Sequence, residues 1–373
     1  MDLTRIVFCF ALALGAALPA SAHKASDAYL QLRGDARGTE LRIDVALRDL
    51  DAALDLDADL DGRLTWGEVR AASPAIEAWV RAGVQLEGCP LEPAGQALER
   101  RNDGSYAVLT LRSACAMPEL PRLRYALMRD LDATHRGLLK IEAPGRAPVL
   151  QVLDPATADR ASIAPAEPPG ASASLVLEGV RHIVGGFDHL LFLLCLMLPA
   201  VMRRAPGGGW RPVDRPGQAL GPVARIVTAF TLAHSITLGL AATGRVALSP
   251  ALIEPAIAAT IVLAAIDNLR PIFAGRRGLV TFAFGLVHGF GFAGVLGELD
   301  LGTVQFAWAL LQFNVGLELG QLAVVAAAVG VLYLLRGSPR YPAWAIGGGS
   351  ALCGVVGALW FVERVSGWPL LPV

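Results

Sequence analysis

The residues with the most pointed chemistry are His182, Asp188, His189, His234 and His288. They fall in three separate apolar runs of the chain. Neutral imidazole is the commonest side-chain ligand for zinc, nickel, copper and cobalt ions. A charge at the centre of a bilayer costs about 2.5–3.5 kcal/mol on insertion scales, so polar groups there mark ion or substrate sites. At a rise of 1.5 Å per residue, His189, His234 and His288 each lie about 14–20 Å from one end of their run, near the midplane of a core about 30 Å thick. Asp188 adjoins His189. On an unbroken helix His182 and His189 share a face but stand about 10.5 Å apart. Gly185-Gly186 lies between them. A break there would bring the two rings together, and without one they serve successive positions on a path. Glu254, Asn314 and Glu318 are candidates for the rest of a pathway. Gln312 and Gln321 read as interhelical hydrogen-bonding groups, and Asp267-Asn268 as an interface mark beside Arg270.

The elements that must position these residues are six apolar runs: 175–202, 223–243, 250–269, 279–297, 303–335 and 342–362. Each is long enough to span a hydrocarbon core. Together they form an all-α membrane domain over 175–362, with a tail at 363–373. The chain averages 54% apolar and 17% charged residues because a charged first half is joined to this greasy second half. Arginines crowd three alternate loops: Arg203, Arg204, Arg211, Arg215 and Arg225; Arg270, Arg276 and Arg277; Arg336 and Arg340. The positive-inside rule then puts those loops in the cytoplasm and both mature ends outside. A net charge of -1 gives no footing for a nucleic-acid partner. No Walker motif is present, so ATP is not a partner.

The first 22 residues read as a secretory signal: Arg5, the apolar stretch Ile6–Leu18, and Ala20-Ser21-Ala22 as the cleavage site. Residues 23–155 would then be exported. Alternating runs at Ala28–Arg33, Glu40–Leu47, Tyr106–Arg112, Leu123–Met128 and Gly137–Glu142 predict a small β-sandwich-like domain. Cys89 and Cys115 are the cysteine pair of this domain and predict a disulfide, since Cys9 leaves with the signal and Cys195 and Cys353 sit in membrane runs. Residues 57–68 fit a twelve-residue EF-hand loop. Asp57, Asp59 and Asp61 would give carboxylates to calcium, Arg63 its carbonyl, Thr65 its hydroxyl, and Glu68 both oxygens; Gly62 allows the turn and Leu64 fills the apolar eighth position. Pro74 shortens any exiting helix. Residues 156–174, rich in Pro, Ala, Ser and Glu, read as a linker.

His182 with Asp188-His189, running on into Leu-Leu-Phe-Leu-Leu, resembles the first-helix signature of the HupE/UreJ family. Phe230–Leu238 and Phe284–Ala293 are similar to its later histidine segments. The resemblance covers about residues 175–335 and points to the longer branch with an extracytoplasmic extension. It implies a six-helix core in the bacterial inner membrane, in contact with lipid, that passes nickel or cobalt, with His182, Asp188, His189 and His288 as the carried-over ligands. Two other readings stay open. The same five residues could hold zinc for an intramembrane hydrolase, with Ser235 stabilising an oxyanion. Alternatively the polar core only packs, and the protein serves assembly or sensing through a partner of its exported domain.

Overall fold

The computed structural model describes residues 27–101, 104–117, 121–145, 148–160, 173–205, 209–246, 248–273, 275–292, 303–366, 368 and 370. The signal segment, most of the expected linker and the end of the tail lie outside the described residues.

The first region is β-rich. Strands β1 (Asp27–Gly34) and β2 (Thr39–Ala46) form a hairpin. β4 (Glu92–Arg101), β5 (Gly104–Ser113), β7 (Arg136–Glu142) and β8 (Val149–Leu153) complete a six-stranded sheet of order β4-β5-β2-β1-β7-β8. Every pairing is antiparallel except β1 with β7. The period-two alternation puts Leu30, Ile43, Leu109 and Leu139 side by side on one face. Against that face pack three helices, α1 (Leu47–Leu54), α2 (Trp66–Ala71) and α3 (Ser73–Gly83), through Leu50, Val69, Ile76 and Val80. A two-stranded patch, β3 (Val84–Leu86) with β6 (Leu123–Tyr125), joins them.

This corrects the expected sandwich. The apolar residues of 47–54 and 73–83 recur at helical spacing, so helices rather than a second full sheet cover the core face. Pro74 enters at the start of α3, where its missing N–H costs nothing, and the chain after the acidic loop becomes two short helices. The Cys89–Cys115 disulfide is present, with Cα atoms 5.9 Å apart.

The second region is helical. Four helices are long and apolar enough to cross a membrane: Gly217–Ala242 (α6), Pro250–Leu269 (α7), Phe306–Leu335 within α9 (Thr303–Leu335), and Pro342–Ser366 (α10). A fifth span is made by α4 (Ala173–Gly185) and α5 (Phe187–Met197) taken together, bent by 68°. The protein is thus a multi-pass membrane protein with up to five such spans among the described residues. The expected run at 279–297 appears as α8 (Arg277–Gly289) and a single 3-10 turn, Phe290–Phe292; its remainder lies outside the described residues.

Two close approaches fix the bundle. A Cβ on Gly316 of α9 would stand 1.9 Å from the Val176 carbonyl of α4. One on Gly289 of α8 would stand 2.1 Å from the Thr237 hydroxyl and 2.4 Å from the His234 carbonyl of α6. Small residues at these crossings let the backbones touch, which is how helices associate where no hydrophobic drive acts. At the far end of α7, Asp267 pairs with Arg277 (2.6 Å). Asn268 donates to the Cys195 carbonyl (2.6 Å).

Candidate metal centre

The Gly185-Gly186 pair breaks the first span. Gly186 takes extended backbone (φ -81, ψ 96) as the N-cap of α5. The 68° bend folds His189 back toward His182, and their ring centroids lie 4.9 Å apart, less than half the spacing of an unbroken helix. Gly186 is also closely packed: a Cβ there would meet the His182 backbone carbonyl at 2.8 Å and the His189 ring Nδ1 at 2.9 Å.

His234 of α6 and His288 of α8 join this pair. Centroid separations are 6.0 Å for His189–His234, 6.2 Å for His182–His234 and 5.1 Å for His189–His288. With metal–nitrogen bonds of 2.0–2.1 Å, a ring centroid sits about 3.2 Å from a bound ion, so rings sharing one ion stand at most about 6.4 Å apart. All four separations fall inside that limit. The coordinating atoms are not drawn into one closed set. Among the described residues, the three-ligand group within 4.8 Å is Asp57, Asp59 and Asp61.

Hydrogen bonds orient two of the rings. His189 Nδ1 lies 3.0 Å from Asp188 Oδ1, which also accepts the His189 backbone N–H at 2.8 Å. Nδ1–H therefore donates to the carboxylate and Nε2 presents its lone pair. The Thr260 hydroxyl of α7 donates to the Ile257 carbonyl (2.6 Å) and lies 2.9 Å from His288 Nε2. Its one proton is committed, so it accepts Nε2–H and leaves the Nδ1 lone pair bare. His189 Nε2, His288 Nδ1 and both ring nitrogens of His234 are buried without a hydrogen-bond partner among the described residues. A buried polar atom left so costs about 1–3 kcal/mol. Their donor chemistry fits a borderline divalent transition metal. Phe192 and Phe230 wall the cluster, at 5.3 and 5.1 Å from the His288 ring.

Thr260 is a site residue that sequence reasoning missed, although a hydroxyl in the middle of an apolar run was a readable signal. The expected pathway residues spread out. Glu318 accepts from Thr228 (2.6 Å), and Gln321 from Thr231 (2.7 Å), one turn below His234. Asn314 donates to the Leu310 carbonyl (2.8 Å), and its Oδ1 and Glu318 Oε2 are buried and unbonded among the described residues. The Glu254 carbonyl accepts from Arg364 (3.1 Å). Ser235 donates to the Thr231 carbonyl (2.7 Å), which engages the hydroxyl that a hydrolase would need.

The acidic loop lies between α1 and α2. Asp57 accepts the N–H groups of Asp61 (3.2 Å) and Gly62 (2.8 Å); Asp61 accepts that of Arg63 (2.8 Å). Gly62 turns at φ 77. Thr65 caps α2, and Glu68 folds back to accept Thr65 N–H and O–H (both 2.7 Å) and Ala58 N–H (3.0 Å). Those bonds, the Thr65 backbone first, hold the Glu68 carboxyl below the usual range. Leu64 packs on the sheet-domain core.

A comparison with protein families matches residues 158–364 to the HupE / UreJ protein family, more than half of the 373-residue chain. No curated protein matches the chain.

Proposed function

Since the chain belongs to the HupE/UreJ family, we propose that it is a secondary permease for a divalent transition metal, nickel or cobalt. The observation that carries this reading is the gathering of four imidazoles from α4, α5, α6 and α8, in which His189 Nε2, His288 Nδ1 and both nitrogens of His234 have no hydrogen-bond partner among the described residues. His182, His189, His234 and His288 would replace waters of the ion one at a time, with Asp188 balancing part of its charge. Ligands spread over centroid separations of 4.9–6.2 Å suit an ion that binds weakly enough to leave. Asn314 and Glu318 on α9 would carry it on past the cluster, and Glu254 would stand toward the opposite end. The setting is the bacterial inner membrane, with the sheet domain and the C-terminus on the periplasmic side.

In the same reading calcium occupies the loop 57–68, ligated by Asp57, Asp59, Asp61, the Arg63 carbonyl, Thr65 and Glu68. The clustered carboxylate oxygens and the turn at Gly62 support it. One ion there would brace the junction of α1 and α2 and would not act as a switch.

The test is accumulation of radioactive nickel by cells carrying the wild type or His189→Ala at equal membrane abundance, with cobalt and zinc as competitors. Uptake that the substitution abolishes is expected. No uptake of any of the three metals above empty-vector cells would refute the permease and turn attention to stoichiometric zinc and a hydrolase.

A further inference from the structure

Two acids and two arginines face one another where the sheet region meets the first span. Arg136 opens β7 and Asp154 follows β8; Glu178 and Arg181 stand on α4. Arg136 lies 3.7 Å from Asp154 Oδ2 and 3.8 Å from Glu178 Oε2. Arg181 lies 3.5 and 3.7 Å from the same two oxygens. Both regions thus contribute one acid and one base, and each carboxylate oxygen is shared by both guanidiniums.

All four separations are long. Charge-assisted N–H···O bonds run about 2.7–2.9 Å. Arg136 Nε and Glu178 Oε2 are buried, yet neither has a hydrogen bond among the described residues. The Arg136 guanidinium is held from behind, its Nη1 donating to the Ala133 (3.0 Å) and His135 (2.6 Å) carbonyls. It therefore stands as a fixed positive charge in a long ion pair with Glu178, with no hydrogen bond between them.

Glu178 comes four residues before His182. On α4 that is one turn, about 6 Å, on the same face. A cation moving along that face toward His182 meets the Glu178 carboxylate first, with Asp154 beside it. The geometry points to an outer gate: Glu178 and Asp154 form a first, weak binding step for a divalent cation, and Arg136 of the sheet region is the counter-charge that the cation must displace. Two carboxylates suit a partly hydrated divalent ion before imidazoles take over. A divalent ion competes for them more strongly than a fixed guanidinium does, and a monovalent ion does not. This deepens the permease reading and rests on it.

The test is nickel(II) flux into proteoliposomes holding the full chain, measured against nickel concentration. Glu178→Gln and Asp154→Asn should raise the half-saturating concentration roughly three- to tenfold, and Arg136→Gln should lower it by a similar factor. Arg136→Lys keeps the charge and should stay near wild type. The opposite signs are the signature, because a mere staple would be loosened alike by removing either partner. Changes of the same sign, or Arg136→Lys behaving as Arg136→Gln, would overturn the gate while wild-type flux left the permease standing. Absence of nickel flux in the wild type itself would overturn both.

Discussion

Substituting Gly289 by alanine should separate metal handling from folding. The added Cβ would stand 2.4 Å from the His234 carbonyl, a backbone atom that cannot swing aside. Restoring a contact of 3.4 Å requires α8 to retreat from α6 by about 1 Å. Overpacking of this kind costs about 1–3 kcal/mol, and replacing glycine by alanine inside a helix returns up to about 1 kcal/mol. The protein should therefore still fold. His288 is the neighbouring residue and must move with α8, away from Phe230 and His234 on α6. A misplacement of about 1 Å in a positioned group can cost a hundredfold in rate, so nickel uptake should fall by about that factor. The control is Gly330→Ala on α9, where nothing lies within 4 Å of the new Cβ. Uptake per inserted molecule, with thermal unfolding in detergent as the folding check, decides the matter. Wild-type uptake by Gly289→Ala would refute the claim that the α6–α8 contact positions the cluster.

Further outcomes follow from the sheet region. Burial holds the His135 imidazole down to about 4, against 6.5 for the free group. The unfolded chain binds the proton more readily, so this stability is complete above about pH 6.5 and is lost as pH falls toward 4. Between pH 7.5 and 5 the loss should be about 2 kcal/mol, read as lower amide protection factors in β7 relative to the intrinsic exchange rate at each pH, and His135→Gln should flatten it. Millimolar calcium should stabilise the α1–α2 loop by about 1–2 kcal/mol if the site binds in the range of 0.1–1 mM, and Glu68→Gln should remove the effect; equal protection with and without calcium would refute the site. Reducing the Cys89–Cys115 bridge, or Cys89→Ser with Cys115→Ser, should cost the sheet region about 3.5 kcal/mol, measured by urea unfolding.

Much of the site was legible because its residue types were out of place. A histidine in an apolar run is conspicuous, and His182, His189, His234 and His288 do meet. What the sequence left open was whether His182 and His189 share a position, since 10.5 Å or 4.9 Å depends on how far Gly185-Gly186 breaks the helix. Thr260 was missed because its part is to accept a hydrogen bond from His288 across a helix contact, which no local pattern encodes. In the sheet region the strands around Leu30, Ile43, Leu109 and Leu139 followed from alternation, as did the disulfide from cysteine count. β4 was missed because it is an edge strand whose residues are mostly exposed and show no alternation. The sandwich was inferred because helices as short as α1 and α3 give too few turns to stand out against neighbouring strands. Asp267 pairs with Arg277, ten residues on, because the chain turns after α7 and brings that arginine back, which the sequence alone did not show.

The central claim is that the imidazole cluster passes a divalent metal. It is tested most directly by nickel(II) flux into sealed proteoliposomes containing only this protein, with an entrapped metal-sensitive dye, comparing wild type with His234→Ala. His234 is the ring with both nitrogens buried and unsatisfied among the described residues. Saturable flux in the wild type that falls to the level of empty liposomes in the variant is the predicted result. Equal flux in both, or none in either from correctly folded protein, would contradict it.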